Sequence, residues 1–77
     1  MTGKERLLDL GFEVLVSSEF SDIFEKRDKY GDKTAVVFDK KSFEIMIDQT
    51  NNGVSTSWFL PNDVFVAIFK HSTELGW

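Results

Sequence analysis

Residues 33–48, KTAVVFDKKSFEIMID, contain two extended segments with a polar turn between them. The segment from Lys33 to Asp39 is rich in β-branched and aromatic residues and is apolar on both faces at its centre, as in a buried strand. Asp39 to Ser42 predicts a tight turn. Residues 43–48 alternate with a period of two, which predicts a half-buried strand paired with the first. Its inward positions are Phe43, Ile45 and Ile47.

Further strands are predicted on both sides of this hairpin. Residues 12–17 form one extended run, and a second run begins at Phe20, with Ile23 and Phe24 on opposite faces. Residues 28–32, which include Gly31, predict a hairpin loop. Asn51-Asn52-Gly53 predicts a mirror-image turn before a last strand over residues 54–59. These connections are too short for parallel crossovers, so the sheet is predicted to be antiparallel.

A helix is predicted at each end of the chain. Thr2 and Glu5 have the spacing of a capping box, and Gly11 suits the left-handed residue that ends a helix. Pro61 and Asp63 predict the start of the second helix. We interpret His71 as a cation favoured by the C-terminal end of that helix. The apolar stripe predicted for the second helix comprises Val64, Phe65, Ile68, Phe69, Ser72 and Leu75.

These elements predict a single α+β domain over residues 1–77. It has a short N-terminal helix, an antiparallel sheet of three to five strands and a C-terminal helix packed on the sheet. The first helix is expected to cover an edge or end of the same face. A chain of 77 residues with 42% hydrophobic content and eleven aromatic side chains supports one modest core.

Charge and cysteine content restrict the function. The formal net charge is -4, which disfavours general binding to a phosphate backbone. The chain has no cysteine, so disulfides, thiolate metal sites and cysteine nucleophiles are excluded. We therefore expect a cytoplasmic protein. The start of the chain lacks the long apolar core of a signal peptide, and no stretch reaches membrane-spanning length.

Several short motifs resemble those of a loose class of small proteins encoded by phages, prophages and other mobile elements of Gram-positive bacteria. They are Leu10-Gly11-Phe12, Ile23-Phe24-Glu25-Lys26, Val37-Phe38-Asp39-Lys40-Lys41 with Phe43, and the closing residues 67–77. The segment 57–61 departs from the pattern, where a polar helix start is expected. The resemblance implies a fold and a genomic setting, and it implies no activity.

The sequence offers little for catalysis. His71 is the single histidine, and a general base needs an orienting carboxylate, for which Glu74 is the nearby candidate. Asp28 and Asp32 flank Gly31 but lack the remaining ligands of a calcium loop. No Gly-x-Ser-x-Gly elbow and no phosphate-binding glycine loop is present. We therefore predict a protein that is not an enzyme and has no cofactor and no metal.

The leading hypothesis is a non-enzymatic interaction, regulatory or inhibitor protein. Its partner would be a host or phage protein, or a second copy in a homodimer. If residues 54–59 are extended, Trp58 packs inward and Phe59 faces outward, so Phe59 and Trp77 are the predicted interface residues. The alternative is a nucleic-acid-binding hairpin, which the net charge disfavours. Its residues would be Lys26, Arg27, Lys29, Tyr30 and Lys33.

Overall fold

The computed structural model describes residues 1–51, 54–55 and 60–77. An N-terminal helix, an antiparallel sheet and a C-terminal helix follow one another in the chain, so the predicted α+β fold class is confirmed. The elements are α1 (Gly3–Asp9), β1 (Glu13–Ser17), β2 (Ser21–Arg27), β3 (Lys33–Asp39), β4 (Glu44–Asn51), β5 (Val54–Ser55) and α2 (Asn62–Glu74).

The strands form a meander in the order β1-β2-β3-β4-β5, and each is antiparallel to its neighbours. In the central hairpin Phe38 pairs with Ile45 and Val36 pairs with Ile47. The register between β1 and β2 shifts between Val14 and Val16, which marks a bulge in the first edge strand. β5 pairs with the end of β4. Residues 52, 53 and 56–59 of the predicted turn and last strand lie outside the described residues.

The core lies between one face of the sheet and the two helices. Phe24 pairs with Val36, and Phe38 follows Val36 on the same face of β3, so these side chains point to one side of the sheet. The helices cover that side and enclose the core. The buried apolar residues are Leu7, Phe12, Phe24, Val36, Phe38, Val64, Ala67 and Ile68.

Local signals set the boundaries of α1. Thr2 and Glu5 form the predicted capping box in both directions. Gly11 has a φ of 101°, and the amide of Phe12 donates to the carbonyl of Leu7, which ends the helix and turns Phe12 into the core. α1 also packs against α2, and the two helices are so close that a side chain at Gly3 would overlap the backbone of His71.

Three residues that were predicted to face the core, Phe43, Phe65 and Phe69, are exposed. Phe43 lies in the turn before β4 with a φ of 58°, and its side chain is 69% exposed. Ile45 does face the helices, but it is 38% exposed because it lies at the margin of the core. In α2, Phe65 and Phe69 lie outside the buried stripe. Their places inside are taken by Ala67 and His71.

Candidate functional site

The outer face of α2 carries large apolar side chains in contact with water. Val64, Ala67 and Ile68 pack on the sheet, so the opposite side of the helix points away from the core. The α2 outer face, as we define it, consists of Phe65, Val66 and Phe69, which are 48%, 48% and 70% exposed. A shallow groove of about 510 Å³ runs along it. Adjacent exposed apolar side chains often mark an interaction surface.

A second apolar surface crosses the open face of the sheet, which α1 and α2 do not cover. Four residues from four neighbouring strands stand in direct register there and form what we call the apolar row. Met46, at one end, is 61% exposed, whereas the two central residues are half-buried between their neighbours. The apolar row consists of Val16, Ile23, Val37 and Met46.

Carboxylates border the apolar row on both sides. Towards the β2–β3 loop the next register positions hold Glu13, Glu25 and Asp48; towards the β3–β4 turn they hold Asp39 and Glu44. We call these five residues the acidic flanks. Three of the five, Glu13, Glu44 and Asp48, have no ion pair within the described parts of the chain.

The remaining two acidic residues are held by local contacts. Glu25 accepts a hydrogen bond from Arg27 Nε at 2.8 Å. Asp39 accepts from the backbone amides of Lys41 and Ser42, and these hydrogen bonds lower the pKa of the Asp39 carboxyl. Asp39 is therefore charged throughout the neutral range, and its orientation is set by the turn.

The predicted basic patch surrounds the β2–β3 hairpin but does not form one surface. Lys26 faces the helix side, where its Nζ lies 6.0 Å from the centre of the Phe12 ring. Arg27 and Lys33 pair on the open side. Lys29 lies over the exposed ring of Tyr30, with 5.1 Å between Nζ and the ring centre. The five residues therefore divide between two faces and the loop.

Trp77, one of the two predicted interface residues, is half-buried at the margin of the core. Its ring centre lies 6.2 Å from that of Phe38 and 6.0 Å from that of Phe43. A role of Trp77 in an interface stays a prediction. Trp58 and Phe59, for which opposite faces were predicted, lie outside the described residues.

His71 lies in the last turn of α2, as predicted, but it is not at the surface. Its side chain is buried, and Nε2 lies 3.0 Å from Oδ2 of Asp22 in β2. The rings of Phe24 and Phe38 contact the imidazole edge-on. Nδ1 has no hydrogen-bond partner among the described residues. Glu74, the predicted orienting carboxylate, instead accepts from the amide of Gly3.

Asp22 is the centre of this buried polar cluster. Its Oδ1 lies 3.0 Å from Lys40 Nζ and accepts from the Ser17 hydroxyl at 3.2 Å. Burial raises the pKa of Asp22, but the hydrogen bonds from His71, Lys40 and Ser17 outweigh burial and lower it. Because Ser17 donates to Asp22 and not to His71, the cluster lacks the contact that activates a serine nucleophile. It connects β2 to α2 and to the β3–β4 turn.

Two signals in the sequence could have located these features. Asp22 is in phase with Phe24 along β2, so its burial follows from strand alternation. His71 is three and four residues from Ile68 and Ala67, which places it on the buried side of α2. The acidic flanks were not predictable as a unit, because their residues come from four strands.

Among the described residues, no group of three or more acidic or histidine side chains is arranged to hold a metal ion. No described helix combines the length and apolar character needed to cross a membrane. No protein-family model, no curated protein and no solved structure matches this chain.

Proposed function

We propose that this protein is a non-enzymatic regulator that binds a cationic surface of another protein through the open face of its sheet. The observation that carries the proposal is the apolar row bordered on both sides by the acidic flanks. Specific interfaces have an apolar centre that excludes water and a polar rim that orients the partner. The fitting partner presents apolar side chains between rows of lysine or arginine.

Electrostatics support a cationic partner. Glu13, Glu44 and Asp48 are exposed and free of ion pairs within the described residues, so their charges are available to a partner. The net charge of -4 adds a long-range attraction for a basic surface and speeds the encounter. The same charges repel phosphate groups, which disfavours direct binding of nucleic acid at this face.

The proposal extends to the biological setting. In a phage or mobile element acting in the cytoplasm of a Gram-positive host, proteins that handle nucleic acid offer suitable basic grooves. Carboxylates occupying such a groove would compete with the phosphate backbone. We therefore propose that the protein acts as an inhibitor of a host or phage protein of this class.

The buried polar cluster supports a role without catalysis. His71, the single histidine, is enclosed by Phe24 and Phe38 and hydrogen-bonded to Asp22. A general base must reach a proton of the substrate. The His71 imidazole is instead buried, where its contact with Asp22 joins α2 to β2.

The test is capture of partners from a Gram-positive host lysate by the tagged protein. The test variant carries Glu44→Gln and Asp48→Asn, which border Met46 on β4. The matched control carries Asp9→Asn and Glu19→Gln, two exposed acidic residues that lie outside the strands. Both variants lose two negative charges, so any difference in binding between them reflects where the charges lie and not the change in net charge.

We expect proteins that the wild type and the control retain at low salt and that the test variant loses. A photo-cross-linking residue at position 46 should form a covalent bond to the same proteins. Equal retention by the test variant contradicts the proposal. The proposal is also contradicted if the protein captures nucleic acid and the variant with Lys29→Glu and Lys33→Glu no longer does.

A further inference from the structure

We propose that the α2 outer face pairs with the same face of a second copy of this chain, with the two α2 helices antiparallel. The surface lies on the side of the helices that points away from the sheet. A dimer formed there leaves both open sheet faces exposed, so this inference does not depend on the function proposed for them.

The spacing of residues on α2 favours packing against a second helix. Asn62, Val66, Phe69 and Thr73 follow one another at intervals of four, three and four, which places them along one line of the helix. This is the spacing of a seam between two packed helices. The apolar residues occupy the middle of the line, and the polar residues lie at its ends.

The α2 outer face is self-complementary in an antiparallel pair. When two antiparallel copies meet at the middle of this line, Val66 lies opposite Phe69 of the second copy, and each such contact occurs twice. Asn62 then lies opposite Thr73, so polar side chains meet at both ends. Phe65 and Lys70 flank the line on opposite sides, and each side meets the same side of the second copy. Lys70 therefore lies near Asp63 of the second copy.

Charge favours the antiparallel arrangement. It brings Lys70 near Asp63 of the second copy and places each helix N-terminus beside the C-terminus of the other helix, which suits the helix dipoles. A parallel arrangement would place Lys70 beside Phe65 and align the two helix dipoles in the same direction, which opposes association. The antiparallel pair is therefore favoured.

The length of α2 limits the size of this interface. A stable interface buries about 1,200–2,000 Å² in total, whereas a helix of 13 residues is only about 20 Å long. We therefore expect a reversible equilibrium between monomer and dimer. The dimer would present two open sheet faces, which strengthens binding to a partner that has two sites.

The first test is sedimentation equilibrium over a wide concentration range. We expect the wild type to approach twice the 8.9 kDa chain mass at high concentration. Phe69→Ser should weaken self-association by about tenfold or more, because the central apolar contact is lost twice. Met46→Ser, which removes an apolar side chain of similar exposure from the sheet face, is the matched control and should leave the dimer unchanged.

The second test keeps the apolar residues intact. The chain has no cysteine, so single cysteines introduced as Asn62→Cys and Thr73→Cys report on proximity without interference. In the antiparallel dimer two copies of residue 62 are about 16 Å apart along the helix axis, beyond the reach of a disulfide. A mixture of the two variants should therefore form cross-linked pairs of one with the other, while each variant alone should not.

Three results of these two tests would overturn the proposed dimer. A wild type that stays monomeric at all concentrations overturns the proposal. A dimer that Phe69→Ser does not weaken, or self-cross-linking of Asn62→Cys, overturns it as well. Circular dichroism of each variant separates loss of the dimer from loss of the fold. If Phe69→Ser does not fold, the cysteine pair alone decides.

Discussion

Asp22 and His71 are hydrogen-bonded across the core, with 3.0 Å between Oδ2 and Nε2, although 49 residues separate them in the chain. The contact joins β2 to α2 and uses the one histidine of the protein. Lys40 and Ser17 hold the other carboxylate oxygen, so Asp22 has partners from three directions. These contacts offset the free-energy cost of burying the charged Asp22 carboxylate.

Asp22→Ala should lower the free energy of unfolding by about 3 kcal/mol, because His71 is left in the interior without its acceptor and Lys40 keeps only the carbonyl of Ser18. Urea denaturation measures the loss. Asp48→Ala is the control, since Asp48 is exposed on the open face, and it should change stability by less than about 0.5 kcal/mol. Equal stabilities of the two variants would show that the buried cluster contributes nothing.

His71→Gln should lower the melting temperature but leave partner binding by the folded protein nearly intact. The physical reason is that the imidazole is enclosed by Phe24 and Phe38 and reaches no open surface of the molecule. Thermal denaturation and the lysate capture assay provide the two measurements. If His71→Gln abolished partner capture without changing the melting curve, the structural role of His71 would be contradicted and a catalytic role would have to be considered.

Acid should destabilise the protein partly through Asp22. Its pKa is lower in the folded than in the unfolded chain, so its stabilisation is complete above the ordinary carboxyl pKa of about 4. It is lost as the pH falls through the lowered folded value. The urea midpoint of Asp22→Asn should fall less steeply on acidification than that of the wild type. Glu5 and Asp39, whose pKa values are also lowered, titrate in both proteins. Parallel curves would exclude Asp22 as a source of acid sensitivity.

Truncations along the central hairpin should follow burial. Phe38→Ala should cost about 3–5 kcal/mol, because the ring is completely enclosed. Ile45→Ala should cost about 1 kcal/mol, since part of the side chain is already in water. Met46→Ala, on the opposite face, should cost less than about 0.5 kcal/mol. Chemical denaturation gives the order, and equal losses at Ile45 and Met46 would show that the two faces are assigned wrongly.

Gly3→Ala should destabilise the protein although alanine favours helices by about 1 kcal/mol over glycine. The added methyl group would overlap the backbone nitrogen and Cα of His71, which cannot move without shifting α2. We expect a net loss of about 1–3 kcal/mol. Lys4→Ala, one residue further along α1 and exposed, is the control. A Gly3→Ala protein more stable than the wild type would mean that the two helices are not in close contact.

The sequence determined the local elements of this protein. The capping box of Thr2 and Glu5 and the glycines at positions 11 and 31 act within five residues, so they predict boundaries without knowledge of the fold. The alternation of Ile45 and Met46 likewise assigned the correct faces of β4. Short connections then allowed an antiparallel meander, because strands joined by a few residues have no other simple way to pair.

Tertiary structure alone decided which apolar residues are inside. Periodicity groups His71 with Ala67 and Ile68 on one side of α2, but large apolar side chains such as Phe69 lie on the other side, so periodicity does not say which side packs on the sheet. Two long-range contacts determine which side of α2 is buried. Asp22, 49 residues away in the chain, is hydrogen-bonded to His71, and the absence of a side chain at Gly3 allows α1 to pack closely against the same turn of α2. The acidic flanks arise in the same way, because strand register brings together carboxylates that are remote in the chain. Contacts between distant segments depend on register and packing, and local sequence patterns do not encode either one.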